Sequence, residues 1–201
     1  MTINELVLAT RNLDKGRELQ AILGDLGIRI RTMAEFPGAP DVVEDGATCR
    51  ENAIKKAVSA QRFTGLPAIA DDTGLEVAVL GGRPGVHAAR YAGEQATYQD
   101  NCRKLLQELA GVPLDQRGAS FVTVAALAFP DGRTEVAEGR LDGRITTAPQ
   151  GTGGFGYDPV FLVPEQGRTL AELSAAEKNQ ISHRARAFQQ AKKLLRSAQQ
   201  V

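Results

Sequence analysis

The stretch Ile69-Ala70-Asp71-Asp72-Thr73-Gly74 sets two carboxylates, a hydroxyl and a glycine between two apolar runs, Leu66 to Ala70 before it and Leu75 to Leu80 after it. Carboxylates are costly to bury unless they are paired or bind a metal, so two at the end of a strand-like run mark the acidic end of a site. Successive side chains of a strand face opposite ways, which predicts different work for Asp71 and Asp72: one faces the site and the other braces the segment. The residues alone leave a second reading open, an Asx-type turn closing a hairpin at Gly74, and they do not choose between the two aspartates.

Upstream, Ile3 to Ala9 reads as a short apolar strand running into Thr10-Arg11-Asn12-Leu13-Asp14-Lys15. Leu19, Ile22, Leu23 and Leu26 then recur at helical spacing, with Asn12 as N-cap and Gly24 or Gly27 as the stop. In that strand–turn–helix unit Lys15 sits in the first helical turn, where the macrodipole disfavours a cation. An anion bound there reverses the sign. The Thr10 hydroxyl, the Asn12 amide, helix N–H groups and the Lys15 ammonium together would form a phosphate cradle; a solvated surface lysine is the other reading.

Between these segments a Pro/Gly loop, Phe36 to Pro40, leads to Glu44-Asp45-Gly46 and then to Thr48-x-x-Glu51, a capping box opening a helix with Ile54, Ala57, Val58 and Gln61 at helical spacing. Glu51 thereby has a structural role. Glu44 has none, so it is the freer carboxylate to join a metal near Asp72. Magnesium takes one or two carboxylates plus phosphate oxygens and waters, which is all such a site needs.

Downstream, Gly81 to Gly85 is a loop, His87 reads as structural or exposed, and Thr97 caps a helix whose stripe is Cys102, Leu105, Leu106 and Leu109. Phe121 to Phe129 and Thr134 to Ile145 flank Pro130-Asp131-Gly132-Arg133, a hairpin signal between long strands. Gly151-Thr152-Gly153-Gly154-Phe155-Gly156 matches G-x-G-x-x-G, but a proline precedes it and Tyr157-Asp158-Pro159 and a strand-like Val160 to Val163 follow, so a dinucleotide fold is not indicated. What remains is a glycine loop presenting Phe155 and Asp158; Phe155 could stack on a flat base or fill a core. Ser174-x-x-Glu177 opens the last element, with Lys178, His183 and Arg184 at or near helix starts. Ala185, Phe188, Ala191 and Leu195 form its inner face, and Arg186, Lys192, Lys193 and Arg196 a solvated basic one.

At 201 residues the chain is long enough for one medium domain, or one of two lobes, with a proper core. Lys plus Arg equals Asp plus Glu, 24 each, so global charge gives no hint of nucleic-acid or membrane binding, no such partner is expected, and any anion site must be local. The two cysteines, Cys49 and Cys102, stand in no metal spacing, and no stretch is long and apolar enough for a signal or a span. A cytoplasmic setting is expected.

Three segments, Ala9 to Lys15, Ala70 to Leu75, and Gly153 to Pro159 with Ser182-His183-Arg184, resemble the inosine/xanthosine triphosphate pyrophosphatases in combination and in order. Glu51-Asn52-Ala53 with Lys56-Ala57, Leu80-Gly81-Gly82, Pro84-Gly85 and Ala89-Arg90-Tyr91 agree, so the resemblance covers essentially the whole chain. It implies an α/β fold: an elongated mixed central sheet with flanking helices and two lobes around a substrate cleft, one domain over residues 1–201, and a homodimer. It also implies Mg²⁺-dependent hydrolysis of deaminated purine nucleoside triphosphates, ITP, dITP and XTP, to the monophosphate and pyrophosphate. Carried onto this chain, the resemblance implies that Thr10, Arg11, Asn12, Leu13, Asp14 and Lys15 hold the triphosphate. It makes Glu44 and Asp72 the metal ligands, with Asp72 also taking the proton of the attacking water. Thr73, standing where serine is commoner, contacts substrate, and Phe155, Gly156, Tyr157, Asp158, Lys178, His183 and Arg184 form the base pocket.

Overall fold

The computed structural model describes residues 3–199. The chain forms two compact units, Met1–Asp72 with Thr123–Gly139 and His183–Val201, and Thr73–Val122 with Arg140–Ser182. The described strands are β1 (Glu5–Leu8), β2 (Arg29–Thr32), β3 (Ala68–Val77), β4 (Pro84–Gly85), β5 (Gly118–Ala128), β6 (Thr134–Ile145), β7 (Phe161–Val163) and β8 (Arg168–Thr169). The helices are α1 (Leu13–Leu23), α2 (Cys49–Thr64), α3 (Tyr98–Glu108), α4 (Ala175–Ile181) and α5 (His183–Gln199). The strands make one mixed sheet in the order β2-β1-β3-β5-β6-β7-β8, with β4 paired to β3, so the expected mixed α/β fold is present. No described helix is long and apolar enough to cross a membrane.

In the first unit β1 lies parallel to both neighbours, Glu5 opposite Arg29 and Val7 opposite Ala68. Parallel strands need crossovers, and α1 and α2 supply them. Being central, β1 is apolar on both faces. Leu6 and Leu8 join Ile69 of β3 in a core with Leu19 and Leu23 of α1 and Phe188, Ala191 and Leu195 of α5, whereas Val7 and Ala68 join Ala60 of α2. This alternation fixes the two faces of β3: odd-numbered Ile69 turns to α1 and α5, even-numbered Ala68 to α2. Asp71 and Asp72 inherit those faces. The acidic pair therefore lies inside a continuous strand, and the hairpin-turn reading of Gly74 does not hold. Strand β2 was not apparent in the sequence because Arg29-Ile30-Arg31-Thr32 carries charges along it; it is the edge strand, where charge is tolerated.

Helix α2 is rotated from its expected orientation. The buried positions are Cys49, Asn52, Ala53, Ala57 and Ala60; of the expected stripe through Ile54, Ala57, Val58 and Gln61 only Ala57 is fully buried. Small residues let the helix lie close to the sheet, and this turns Asn52 and Lys56, one turn apart, inward. Lys192 of α5 also departs from expectation: it is buried, giving its ammonium to the Ile22 carbonyl at 3.0 Å and to Asp25, where it caps the end of α1.

In the second unit, Cys102 and Leu105 of α3 and Leu109 just after it pack in one core with Leu75, Phe121 and Phe161. Strand β7 pairs antiparallel with β6, Ile145 opposite Phe161, and with β8, Leu162 opposite Thr169. Thr97 caps α3 with Asp100 answering, and Ser174 caps α4 with Glu177 answering, as their spacing predicts.

Candidate active site

The end of β1 and the start of α1 form a tightly bonded turn in the first unit. Asn12 caps the helix as expected, its Oδ1 accepting the N–H groups of Asp14 at 3.0 Å and Lys15 at 3.1 Å, while Thr10 Oγ1 accepts the Asn12 N–H at 3.2 Å. Two helix N–H groups offered to an anion are thus held by the cap itself. Lys15 reaches Asp71, Nζ to Oδ2 at 3.1 Å, so a carboxylate supplies the negative partner its place in the first turn calls for. Arg11 turns elsewhere, donating to the Ala39 carbonyl at 2.8 Å and pairing with Asp41. It lines a cavity of about 490 Å³ with Thr10, Asn12, Arg17, Gln20 and Phe36. Asp14 pairs with Arg17 at 3.4 Å, and the Leu13 side chain lies outside the described part of the structure.

Asp71 is enclosed on the α1/α5 face. Its Oδ2 meets Lys15 at 3.1 Å and Arg184 Nε at 3.3 Å, and Arg184 also holds Glu18 at 2.6 Å. Burial alone raises the Asp71 carboxyl, but the charges of Lys15, Arg184 and Lys56 outweigh it and hold it well below the carboxylate range. Arg184 is likewise penalised by burial and returned to the charged form by Asp71 and Glu18.

On the α2 face, Lys56 Nζ lies 2.9 Å from Asp72 Oδ1 and 3.1 Å from Glu44 Oε2. Burial lowers the Lys56 pKa and the carboxylates of Asp72, Asp71 and Glu44 raise it, with the net upward, so the ammonium stays charged. Asp45 does not join: it points to Lys55, with both side chains largely exposed. Glu44 and Asp72 thus share the Lys56 ammonium, whereas Asp45 pairs with Lys55 and Asp71 with Lys15 and Arg184. Lys56 was passed over in the sequence, where it stood only within a run of matching residues; its position four residues beyond Asn52 on a capped helix was the available signal. Among the described residues no group of three or more His, Cys, Asp or Glu could hold a metal ion. Two hard carboxylate oxygens converging on one cation nonetheless fit magnesium, whose other positions go to phosphate oxygens and water.

His183 opens α5 buried, sharing a 2.6 Å hydrogen bond between its Nδ1 and Thr123 Oγ1 whose direction follows the ring tautomer. In the second unit the glycine loop is shaped by Asp158. Its Oδ2 accepts the Phe155 N–H at 2.8 Å and the Lys178 ammonium at 2.7 Å. A Cβ on Gly154 would come 2.0 Å from that same oxygen, and Gly154 has φ +68°, so only glycine fits. Lys178 stands over the Phe155 ring at 4.7 Å, and the Tyr98 ring lies 5.9 Å from it between centroids, tilted by 37°. Lys178 lies in the last turn of α4, where the dipole favours it, rather than near a helix start. Gly156 gives its carbonyl to the Cys102 thiol at 3.3 Å, and buried Tyr157 donates its hydroxyl to the Ala88 carbonyl at 2.9 Å. Thr73, half-buried, follows Asp72 on β3.

The chain is thus a mixed α/β protein whose first unit carries a capped strand–turn–helix with an inward lysine, beside Asp72 of β3 and Glu44 of the preceding loop, which converge on Lys56. Residues 6–194 match the model of the Ham1 family, and the chain belongs to that family. It is 54% identical to the dITP/XTP pyrophosphatase of Geobacillus kaustophilus over 186 residues, 92% of this chain and 91% of that one. It is similar to the solved HAM1 protein of Coxiella burnetii at 44% identity and a TM-score of 0.88, covering 98% of this chain and 100% of that one. It is also similar to the nucleoside-triphosphatase / dITP/XTP pyrophosphatase of Mycobacterium abscessus, at 40% identity and a TM-score of 0.76 over 93% of this chain and 98% of that one.

Proposed function

We propose that this chain hydrolyses deaminated purine nucleoside triphosphates, ITP, dITP and XTP, to the monophosphate and pyrophosphate. The observation that carries this reading is the convergence of Glu44 and Asp72 on the single Lys56 ammonium, in a chain whose relatives bear that activity in their names. Thr10 to Lys15 hold the triphosphate, and Glu44 and Asp72 would hold Mg²⁺, which, when bound, neutralises phosphate charge as the leaving group departs. Asp72 orients a water and takes its proton as the water oxygen attacks the α-phosphorus. The bond from that phosphorus to the bridging oxygen breaks, and pyrophosphate leaves with both electrons. Thr73 contacts the substrate beside it.

Phe155 offers a flat apolar face to a base, in a loop set by Gly156, Tyr157 and Asp158. Lys178, His183 and Arg184 are the donors that would read it. Hypoxanthine and xanthine carry a 6-keto acceptor where adenine carries an amino donor, so donors satisfied by the first are left unpaired by the second. The chain acts as a homodimer in the cytoplasm, without nucleic-acid or membrane partners; this part of the reading rests on the family resemblance and on the balanced charge of the sequence.

A substrate panel tests the reading. With Mg²⁺, the purified chain should release pyrophosphate, and not orthophosphate, from ITP, dITP and XTP, and far less from ATP or GTP; equal rates on all five would overturn the specificity, and orthophosphate release the reaction.

A further inference from the structure

Buried Asn52 is unexplained by the roles given so far, although it lies between the two segments that carry the acidic centre. It is 1% exposed on a helix face otherwise made of Cys49, Ala53, Ala57 and Ala60, where an apolar side chain would pack without any need for partners. Its Oδ1 accepts the Gly46 N–H at 2.8 Å, and its Nδ2 faces Asp72 Oδ2 at 3.5 Å. The orientation of the amide is dictated: a backbone N–H needs the acceptor and a carboxylate needs the donor. The Asp72 contact is the longer of the two, at the outer limit of a hydrogen bond.

The Gly46 side is built to match. A Cβ there would come 2.6 Å from Asn52 Oδ1 and 2.8 Å from the Glu51 Cβ, and the Gly46 backbone does not lie in the left-handed region, so glycine is required for space and not for conformation. Two residues before Gly46 is Glu44, which reaches Lys56 on the same helix. One turn of α2 thus presents an amide and an ammonium to both arms of the centre. The ammonium supplies the charge, and the amide sets the spacing without adding any.

We propose that Asn52 is the positioning residue of this centre: it ties the Glu44 loop, through Gly46, to the Asp72 carboxylate, so that the two carboxylates are held ready to share one divalent cation. The inference rests on reading Glu44 and Asp72 as metal ligands. Asn52→Leu, close in volume, removes both contacts, and Gly46→Ala spoils the same contact from the loop. Each should lower kcat about 10- to 100-fold, the usual cost of losing a group that orients a metal ligand, with KM for ITP unchanged. Each should also weaken Mn²⁺ binding by a similar factor, read by electron paramagnetic resonance without turnover, while nucleotide binding in the presence of a chelator is unaffected. The double variant should be no worse than the worse single one, since both break one link. Wild-type kcat and Mn²⁺ affinity in either single variant, or a loss confined to melting temperature, would overturn the inference. Additive losses would overturn the link between the two residues. A wild-type chain that releases no pyrophosphate defeats the functional reading itself, whereas an active wild type with Mn²⁺ binding indifferent to Asn52 defeats only this inference.

Discussion

On one face of β3 Asp71 is sealed against Lys15 and Arg184, and on the other Asp72 meets Lys56 in company with Glu44. The residues are chemically identical and adjacent, and both are buried. What separates them is which helices cover each face. Asp71 looks toward α1 and α5, each of which brings a fixed cation of this chain, so its charge is consumed internally. Asp72 looks toward α2, whose Lys56 ammonium meets both Asp72 and Glu44.

The comparison can be broken in three ways, from the largest expected effect to the smallest. Asp72→Asn keeps the shape and removes the proton acceptor; turnover should fall by about 10²- to 10⁴-fold while nucleotide still binds, as measured by steady-state rates and calorimetry. If that variant stays active, the two faces do not differ in the way described. Asp71→Asn should act mainly on the fold. Lys15 and Arg184 lose a shared buried counter-charge, and breaking such a pair costs about 3–5 kcal/mol, read as a drop in the denaturant midpoint.

The pH dependence of that second variant sharpens the point. The Asp71 carboxyl is held below its ordinary 3.8 in the folded chain, so its stabilisation is complete above the unfolded value and is lost as pH falls through the folded one. The gap in melting temperature between wild type and Asp71→Asn should therefore be steady from about pH 8 to about pH 5 and close only in stronger acid. The smallest effect belongs to Asp45→Asn. Asp45 pairs only with exposed Lys55, beside the residue that does face the centre, so both turnover and melting temperature should stay at wild-type values.

Local signals were legible wherever short-range chemistry decides the outcome. Asn12, Thr48, Thr97 and Ser174 all cap the helices they precede, because an N-cap needs only its own side chain and the next three N–H groups. The Pro130 to Arg133 turn joins β5 to β6 for the same reason, with Gly132 donating to the Phe129 carbonyl at 3.0 Å. Glu51 shows where such reasoning stops: Thr48 caps as expected, yet the Glu51 carboxylate accepts from Ala47 and not from the cap residue. Lys192 shows it again. A lysine among Arg186, Lys193 and Arg196 looks solvated in a helical projection, and only the end of α1 lying beside it makes burial affordable.

The sequence by itself determined that two carboxylates follow a strand-like apolar run, that a capped helix with an early lysine follows β1, and that a glycine loop carries Phe155 and Asp158. Only the tertiary structure decided which aspartate meets Lys15 and Arg184 and which meets Lys56 in company with Glu44, and that Asn52 stands behind the latter. The reason is physical: a strand fixes that neighbouring side chains point apart, but the charge each one meets is brought by α1, α2 and α5, whose contributing residues lie as far as 113 positions away along the chain.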